Sequence, residues 1–360
     1  MKALIAMSGG VDSSLAAKIM TDKGFECIGC TMKLYRNEEE GTEHSRTCCS
    51  LDDVEDARSV AYQLDIPYYV FNFTDVFREK VIRKFIESYE QGITPNPCID
   101  CNRYMKFDKL YRRAKTLGCD YIVTGHYARI EKIGGRFFLK KALDETKDQS
   151  YVLYAMTQEL LAQTMFPLGE LRKSEVRALA RQYGFINAEK SDSQDICFVP
   201  DGDYASVIGQ YTGKVPRKGY FVDLQGNILG EHKGLIHYTV GQRKGLGISS
   251  AMPFYVCRLC PESGNVVLGR KEDLLQREAE VSDFNWIGGT APREAFVCEV
   301  KIRYRQPAKR ATVFPIGADA VRILFDKPQR AVTPGQAAVL YDGDTVLGGG
   351  TIRVLKGAPT

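Results

Sequence analysis

The sequence predicts an α/β doubly wound parallel sheet, followed by a small β-rich linker domain and a C-terminal β-barrel. Short apolar runs alternate with amphipathic stretches over the first two hundred residues. A glycine-serine turn follows the first of those runs, where a parallel sheet places a ligand loop. After about Pro200 the helical period gives way to short alternating runs broken by glycines, such as Gly219-Tyr220-Phe221-Val222-Asp223-Leu224.

Element by element, 3–7 reads as a strand, 13–23 as a helix and 27–32 as a second strand, a βαβ rhythm. Beyond a polar loop over 35–50 the pattern predicts a helix over 51–64, a strand over 68–73, helices over 76–89 and 103–117, and a strand over 121–124. The charged stretch Arg270-Lys271-Glu272-Asp273 makes a second boundary. The expected domains are therefore 1–200, 201–274 and 275–360.

With 360 residues, 44% of them hydrophobic and 26% charged, the chain is long enough for several cores. No stretch approaches the roughly 18 consecutive apolar residues of a membrane span, and Met1 runs straight into a strand-like segment, so a cytoplasmic, unprocessed protein with no membrane partner is expected. A net charge of +4 leaves nucleic-acid binding undecided. Eleven cysteines without a secretory segment point to a reducing compartment, where they serve as thiols, ligands or catalysts.

Ser8-Gly9-Gly10-Val11-Asp12-Ser13-Ser14 lies between the first strand and the first helix. Gly9 and Gly10 let backbone approach an anion, and the hydroxyls of Ser8, Ser13 and Ser14 can donate to it. Asp12 would repel phosphate unless a cation lies between them, which implies Mg²⁺. A serine-capped turn without a ligand is the simpler alternative. No Walker-type G-x-x-x-x-G-K-[ST] is present. The string instead resembles the PP-loop of the ATP pyrophosphatases, which implies ATP, AMP transfer to an oxygen, and release of pyrophosphate.

Three pairs read C-x-x-C. Cys27/Cys30 and Cys257/Cys260 fall in strands, where residues three apart face opposite sides, so neither pair chelates without a bend. Cys119 and Cys298 read as core residues, and a metal role for Cys48 and Cys49 has no support. Cys98/Cys101 differs. In Thr94-Pro95-Asn96-Pro97-Cys98-Ile99-Asp100-Cys101-Asn102 two prolines set an extended loop that runs into a basic helix. Cys101 then sits at or near a helix N-terminus, where the dipole, Arg103 and Lys106 would lower its thiol pKa. Cys197, taken alone, reads as a core cysteine.

The phosphate loop, the Asn-Pro-x-x-x-Cys-Asn loop, Thr124-Gly125-His126-Tyr127-Ala128-Arg129, Asp148-Gln149-Ser150-Tyr151, Phe166-Pro167-Leu168-Gly169, Ile196-Cys197-Phe198, the run 238–247 and Tyr341-Asp342-Gly343-Asp344 occur in the order of the tRNA-specific 2-thiouridylases. The chain resembles that family over essentially its whole length.

The resemblance implies that Cys101 is the nucleophile and that Cys197 carries sulfur as a persulfide to the adenylated C2 oxygen of the wobble uridine, position 34. ATP would lie along Ala6, Met7, Ser8, Gly9, Gly10, Val11, Asp12 and Ser13, with Met32 and Gly125 lining the adenosine pocket and Asp12 serving catalysis with Mg²⁺. It implies tRNA contacts at Asn96, Pro97, Cys98, His126, Asp148, Gln149, Ser150, Arg303, Tyr304 and Gln336. The substrates would be the tRNAs for Lys, Glu and Gln, and the partner a sulfur donor such as a cysteine desulfurase or a sulfur-relay protein. Oligomeric state stays open, with a monomer favoured.

One departure matters. Many members carry Asp where this chain has Cys98. Cys98, Cys101 and Cys197 would supply three thiolates, enough to hold a [4Fe-4S] cluster whose fourth iron binds sulfide. Cluster and persulfide both stand as readings of the sequence.

Two basic surfaces suit RNA. Lys106, Lys109 and Arg113 share a helical face opposite Phe107, Leu110, Tyr111 and Ala114. Lys301, Arg303 and Arg305 alternate with Val300, Ile302 and Tyr304, so a phosphate ladder along one strand is expected, and Arg303 and Tyr304 can both touch RNA only if that strand ends or bulges there. Two other functions compete. A PP-loop ligase or amidotransferase acting on a small acid or another nucleoside leaves the cysteine loop unexplained. A non-enzymatic iron-sulfur RNA-binding module leaves the phosphate loop unexplained.

Overall fold

A computed structural model describes residues 1–35, 51–192, 196–199 and 202–354. Strands β1 (Lys2–Ala6), β2 (Glu26–Lys33), β3 (Tyr68–Asn72) and β4 (Tyr121–Thr124) come first; β5 (Ala128–Ile133), β6 (Arg136–Lys141) and β7 (Thr164–Met165) follow. The first sheet has the order β3-β2-β1-β4-β7 and is parallel throughout. Alternation along β1 sends Ala3 and Ile5 to one core and Leu4 to another, so both faces are covered. The same alternation puts Cys27 in the first core and Cys30 in the second, as their spacing predicts.

The middle region contains β8 (Gly219–Val222), β9 (Ile228–His232), β10 (Tyr255–Cys260) and β11 (Asn265–Gly269), in the order β10-β11-β8-β9, around Phe221, Val256, Val266 and Leu268. A short helix, Glu272–Leu274, occupies the expected boundary.

The last region holds β12 (Leu275–Trp286), β13 (Phe296–Lys301), β14 (Lys309–Ile316), β15 (Ala320–Arg330), β16 (Ala337–Asp342) and β17 (Thr345–Ile352). These run β12-β15-β14-β13-β16-β17, and a β12–β17 pairing closes them into a six-stranded barrel.

Two features go beyond the sequence reading. The hairpin β5–β6 leaves the first sheet and joins the barrel through Lys140 opposite Thr345, with Arg129 bridged to Asp344 at 2.8 Å. Both helices on the cysteine side contain π-helical turns. The first runs Thr74–Phe77, Arg78–Ile82 (π) and Arg83–Glu90; the second runs Pro97–Asp100, Cys101–Leu110 (π) and Tyr111–Thr116. The apolar face expected over 103–117 is nevertheless largely kept: Phe107, Leu110 and Ala114 are buried and Tyr111 partly so, while the π-helical turns add Met105 to the buried set. Among the described residues no helix is long and apolar enough to cross a membrane.

Candidate active site

Strand β1 ends at Ala6 and the helix Val11–Asp22 starts after Gly10, leaving the loop between them to be shaped by its own hydroxyls. Ser13 Oγ accepts from Ser8 N at 3.1 Å and donates to Gly10 O at 3.0 Å; Ser14 Oγ donates to the same carbonyl at 3.1 Å. Gly9 has φ +75°, and a Cβ there would sit 2.3 Å from Asp53 O, so only glycine fits. Behind the loop the buried Asn187 donates to Gly9 O and to Ser14 Oγ, each at 2.9 Å, which turns the Gly9 carbonyl away from the ligand side. No motif announces Asn187.

Asp12 is not the unpaired charge the sequence suggests. Lys173 Nζ lies 2.7 and 2.8 Å from its two oxygens, and Tyr127 OH donates to it at 2.7 Å. Lys173 also meets Asp192 at 2.8 Å, and Lys147 and Arg177 complete the cluster at 2.7 and 3.0 Å from Asp192. Burial works against the Asp192 carboxylate, yet hydrogen bonds from Lys147 and Lys173 hold its pKa at about 2. Lys190 ties Asp53 and Asp56, on the helix Leu51–Gln63 that packs on Gly9, at 2.7 and 2.6 Å. Of the motifs read in the sequence only Phe166–Gly169 lies near Lys173, and it assigns that lysine no role.

The cysteine loop is held from two sides. Asn96 Oδ1 accepts from Cys98 N at 3.2 Å and caps the helix that Pro97 begins. Thr94 N donates to Pro334 O at 3.1 Å, and Gln336 Nε2 donates to Thr94 O at 2.9 Å, so the barrel grips the start of the loop. Cys101 falls one turn inside the helix, where the π-helical stretch begins. Arg103 turns away to pair with Asp283 of the barrel at 2.5 Å, so it does not attend the thiol. Lys106 Nζ lies 3.3 Å from His126 Nε2, and His126 Nδ1 lies 2.6 Å from Thr124 Oγ1. Burial, with the Lys106 ammonium beside it, holds His126 well below the usual histidine pKa, so the ring is neutral at pH 7.

The phosphate loop, Met32, Gly125, Cys98, Cys101, Cys197 and the barrel's Lys301 and Tyr304 all border one cavity of about 1140 Å³. Small-molecule pockets span roughly 300–1,000 Å³, so this one has room for a nucleotide and a base together. Cys98 is exposed, and Cys101 and Cys197 are half-buried. Among the described residues no group of three His, Cys, Asp or Glu side chains is placed to hold a metal ion. The three thiols share a cavity. Mg²⁺ makes a smaller demand, one or two carboxylates plus phosphate oxygens, and Asp12 at the cavity wall fits it. Cys27, Cys30, Cys119 and Cys298 are buried, while Cys48 and Cys49 lie outside the described residues.

Several residues expected to face tRNA turn inward. Ser150 is fully buried and donates to Asp148 Oδ2 at 2.8 Å; Asp148 also accepts from the amides of Ala142 and Ser150, both at 3.1 Å. Gln149 Oε1 accepts from Tyr127 N at 2.9 Å. Strand β13 ends at Lys301, so the basic ladder stops there. Arg303 turns into the seam with the middle region, donating to Val240 O at 3.1 Å and Thr333 Oγ1 at 2.6 Å. Tyr304 stays exposed at the cavity rim.

Three family models match: "tRNA methyl transferase HUP domain" over residues 1–201, "tRNA methyl transferase PRC-barrel domain" over 205–270 and "Aminomethyltransferase beta-barrel domain" over 276–352. The chain is 48% identical to the tRNA-specific 2-thiouridylase MnmA of Clostridioides difficile over 98% of both chains. It is 51% identical to that of Symbiobacterium thermophilum over 98% of this chain and 92% of the relative. Among solved structures, a 4-thiouridine synthetase–RNA complex with bound ATP aligns with 56% of this chain and 45% of its own, at 19% identity and a TM-score of 0.37.

Proposed function

The chain belongs to the tRNA-specific 2-thiouridylase family, and on that premise we propose that it replaces the C2 oxygen of the wobble uridine of tRNA with sulfur, using ATP. One observation carries the reading: the phosphate loop, Cys101 and Cys197 open into one cavity large enough for nucleotide and base. Residues 1–200 supply the ATP and sulfur chemistry, and 275–360 close the cavity with Lys301 and Tyr304.

Amides of Gly9 to Ser13 receive the phosphates, and Asp12, held by Lys173 and Tyr127, would supply a carboxylate to a Mg²⁺ that offsets their charge. The uridine O2 attacks the α-phosphorus, the N3 proton leaves, and pyrophosphate departs. AMP on O2 is a better leaving group than the bare carbonyl oxygen. A persulfide on Cys197, loaded by a protein persulfide donor such as a cysteine desulfurase or a sulfur-relay protein, attacks C2 through its terminal sulfur. AMP leaves with the C2–O bond pair. The Cys101 thiolate then attacks Cys197 Sγ, the S–S bond breaks, 2-thiouridine departs, and a Cys101–Cys197 disulfide remains. The tRNAs for Lys, Glu and Gln are the proposed substrates, and a reducing cytoplasm suits thiols that must be regenerated.

The test is thiolation of tRNA by iron-free protein with ATP, Mg²⁺ and a persulfide donor, read by mass analysis of the digested RNA. Sulfur at position 34, lost in Cys101→Ser while ATP and tRNA still bind, is the expected result. Activity appearing only after anaerobic reconstitution with iron would replace the persulfide route with a cluster. No sulfur transfer by either form would end the functional reading.

A further inference from the structure

Lys106 differs from the lysines around the phosphate loop. Lys147, Lys173 and Lys190 each hold a carboxylate, whereas on the barrel side of the cavity Lys141 donates to Gly343 O at 2.9 Å and Lys301 lies over the rings of Tyr151 and Tyr304. Among the described residues Lys106 has no carboxylate partner; its ammonium meets the imidazole of His126. An ammonium only donates, so Nε2 accepts, and the ring proton on Nδ1 goes to Thr124 Oγ1 at 2.6 Å. The buried, neutral ring positions the ammonium without cancelling its charge.

Helix type explains how this charge comes to the cavity that the thiols border. In an α-helix, residues five apart diverge around the axis. A π-helix bonds each carbonyl to the amide five residues on. The stretch Cys101–Leu110 is π-helical, and so carries Cys101 and Lys106 to the same cavity wall.

We propose that Lys106 is a catalytic cation: its ammonium contacts the activated pyrimidine and stabilises the negative charge that forms on N3 and O4 when sulfur adds to C2. The inference rests on the function proposed above. As the C–S bond forms, the C2=N3 π pair moves onto N3 and is shared with O4. When that pair returns, the C2–O2 bond breaks and AMP leaves with its electrons. A positive charge fixed beside N3 and O4 favours the adduct over the neutral adenylated base, which is how preorganised cations lower barriers.

The experiment compares wild type, Lys106→Met and Lys106→Arg in single-turnover sulfur transfer from protein preloaded with persulfide. It is run beside tRNA-dependent ATP–pyrophosphate exchange, tRNA affinity at several salt concentrations and thermal midpoints. Removing one donor of this kind costs roughly 10²–10³-fold in rate. The expected result is a loss on the order of a hundredfold in sulfur transfer for Lys106→Met, partial recovery in Lys106→Arg, and exchange and tRNA affinity near wild type. Undiminished transfer by a folded Lys106→Met would overturn the proposal. So would a loss that follows tRNA affinity, with the salt slope reduced by about one, the mark of a phosphate contact. If wild type itself transfers no sulfur, the functional reading fails first; if only the variants behave like wild type, this inference fails alone.

Discussion

Lys173 Nζ lies 2.7 Å from Asp12 Oδ1 and 2.8 Å from Asp192 Oδ1, so one ammonium ties the phosphate loop to the segment that leads to Cys197. Lys173→Gln would leave two carboxylates facing each other where ATP must bind. Removing the shared ammonium costs about 1–3 kcal/mol, with the lower end expected because Tyr127 still donates to Asp12, Lys147 and Arg177 still pair with Asp192, and the two side chains keep 30% and 21% exposure. We expect a lower thermal midpoint and a rise of about fivefold or more in the ATP KM, taking about 1.4 kcal/mol per factor of ten. Pyrophosphate exchange titrated with ATP reads this directly; an unchanged KM would remove Lys173 from the nucleotide site.

Asp192 makes acid stability diagnostic. Its folded pKa is depressed to about 2, below the unfolded value of about 3.9. A depressed carboxylate contributes stability fully above the unfolded value and loses it as pH falls through the folded one. The thermal midpoint of Asp192→Asn should therefore lie below wild type at about pH 5 and approach it as pH falls towards about 2. A gap that stays constant across that window would show that Asp192 is not the group titrating.

Arg303 gives opposite forecasts by sequence and by structure. An arginine on a phosphate ladder would cut the salt slope of tRNA binding by about one when removed. The guanidinium instead bonds Val240 O and Thr333 Oγ1 in the seam between barrel and middle region, and burial lowers its pKa. Arg303→Ala should lower the thermal midpoint and leave the salt slope near wild type. A slope reduced by one at unchanged stability would return Arg303 to the RNA interface.

What the sequence made legible was local. A Gly-Gly between strand and helix predicts its own geometry, and strand alternation places Cys27 and Cys30 in separate cores. What it hid is made by distant contacts. Asn187 reaches Gly9, Lys173 reaches Asp12, and the hairpin β5–β6 crosses to the barrel, each over a separation that no periodicity encodes. The π-helical stretch was hidden for another reason. The buried positions at Phe107, Leu110 and Ala114 also suit an α-helix, so the apolar pattern does not tell the two helix types apart. The ladder over Lys301, Arg303 and Arg305 failed because its strand stops at Lys301, where a turn sends Arg303 inward.

Gly335 offers the sharpest test of the barrel's grip on the cysteine loop. It has φ +89°, and a Cβ there would lie 2.3 Å from Ile93 Cγ2 and 2.9 Å from Thr94 O. Both neighbours precede Pro95-Asn96-Pro97, and Gln336 bonds the same Thr94 carbonyl, so the clash is relieved most easily by shifting the loop that carries Cys98 and Cys101. A misplacement of about 1 Å costs on the order of a hundredfold in rate. Gly335→Ala should therefore lose thiolation on that scale while ATP affinity, measured calorimetrically, stays unchanged. Backbone strain alone is controlled by Gly118→Ala. That glycine also has positive φ, +68°, but nothing lies within 4 Å of its Cβ position. Both variants carry the strain of a left-handed alanine, roughly 1–3 kcal/mol, so their thermal midpoints should fall together. Only Gly335→Ala should lose sulfur transfer; equal activity in the two would mean that the barrel does not set the position of the cysteine loop.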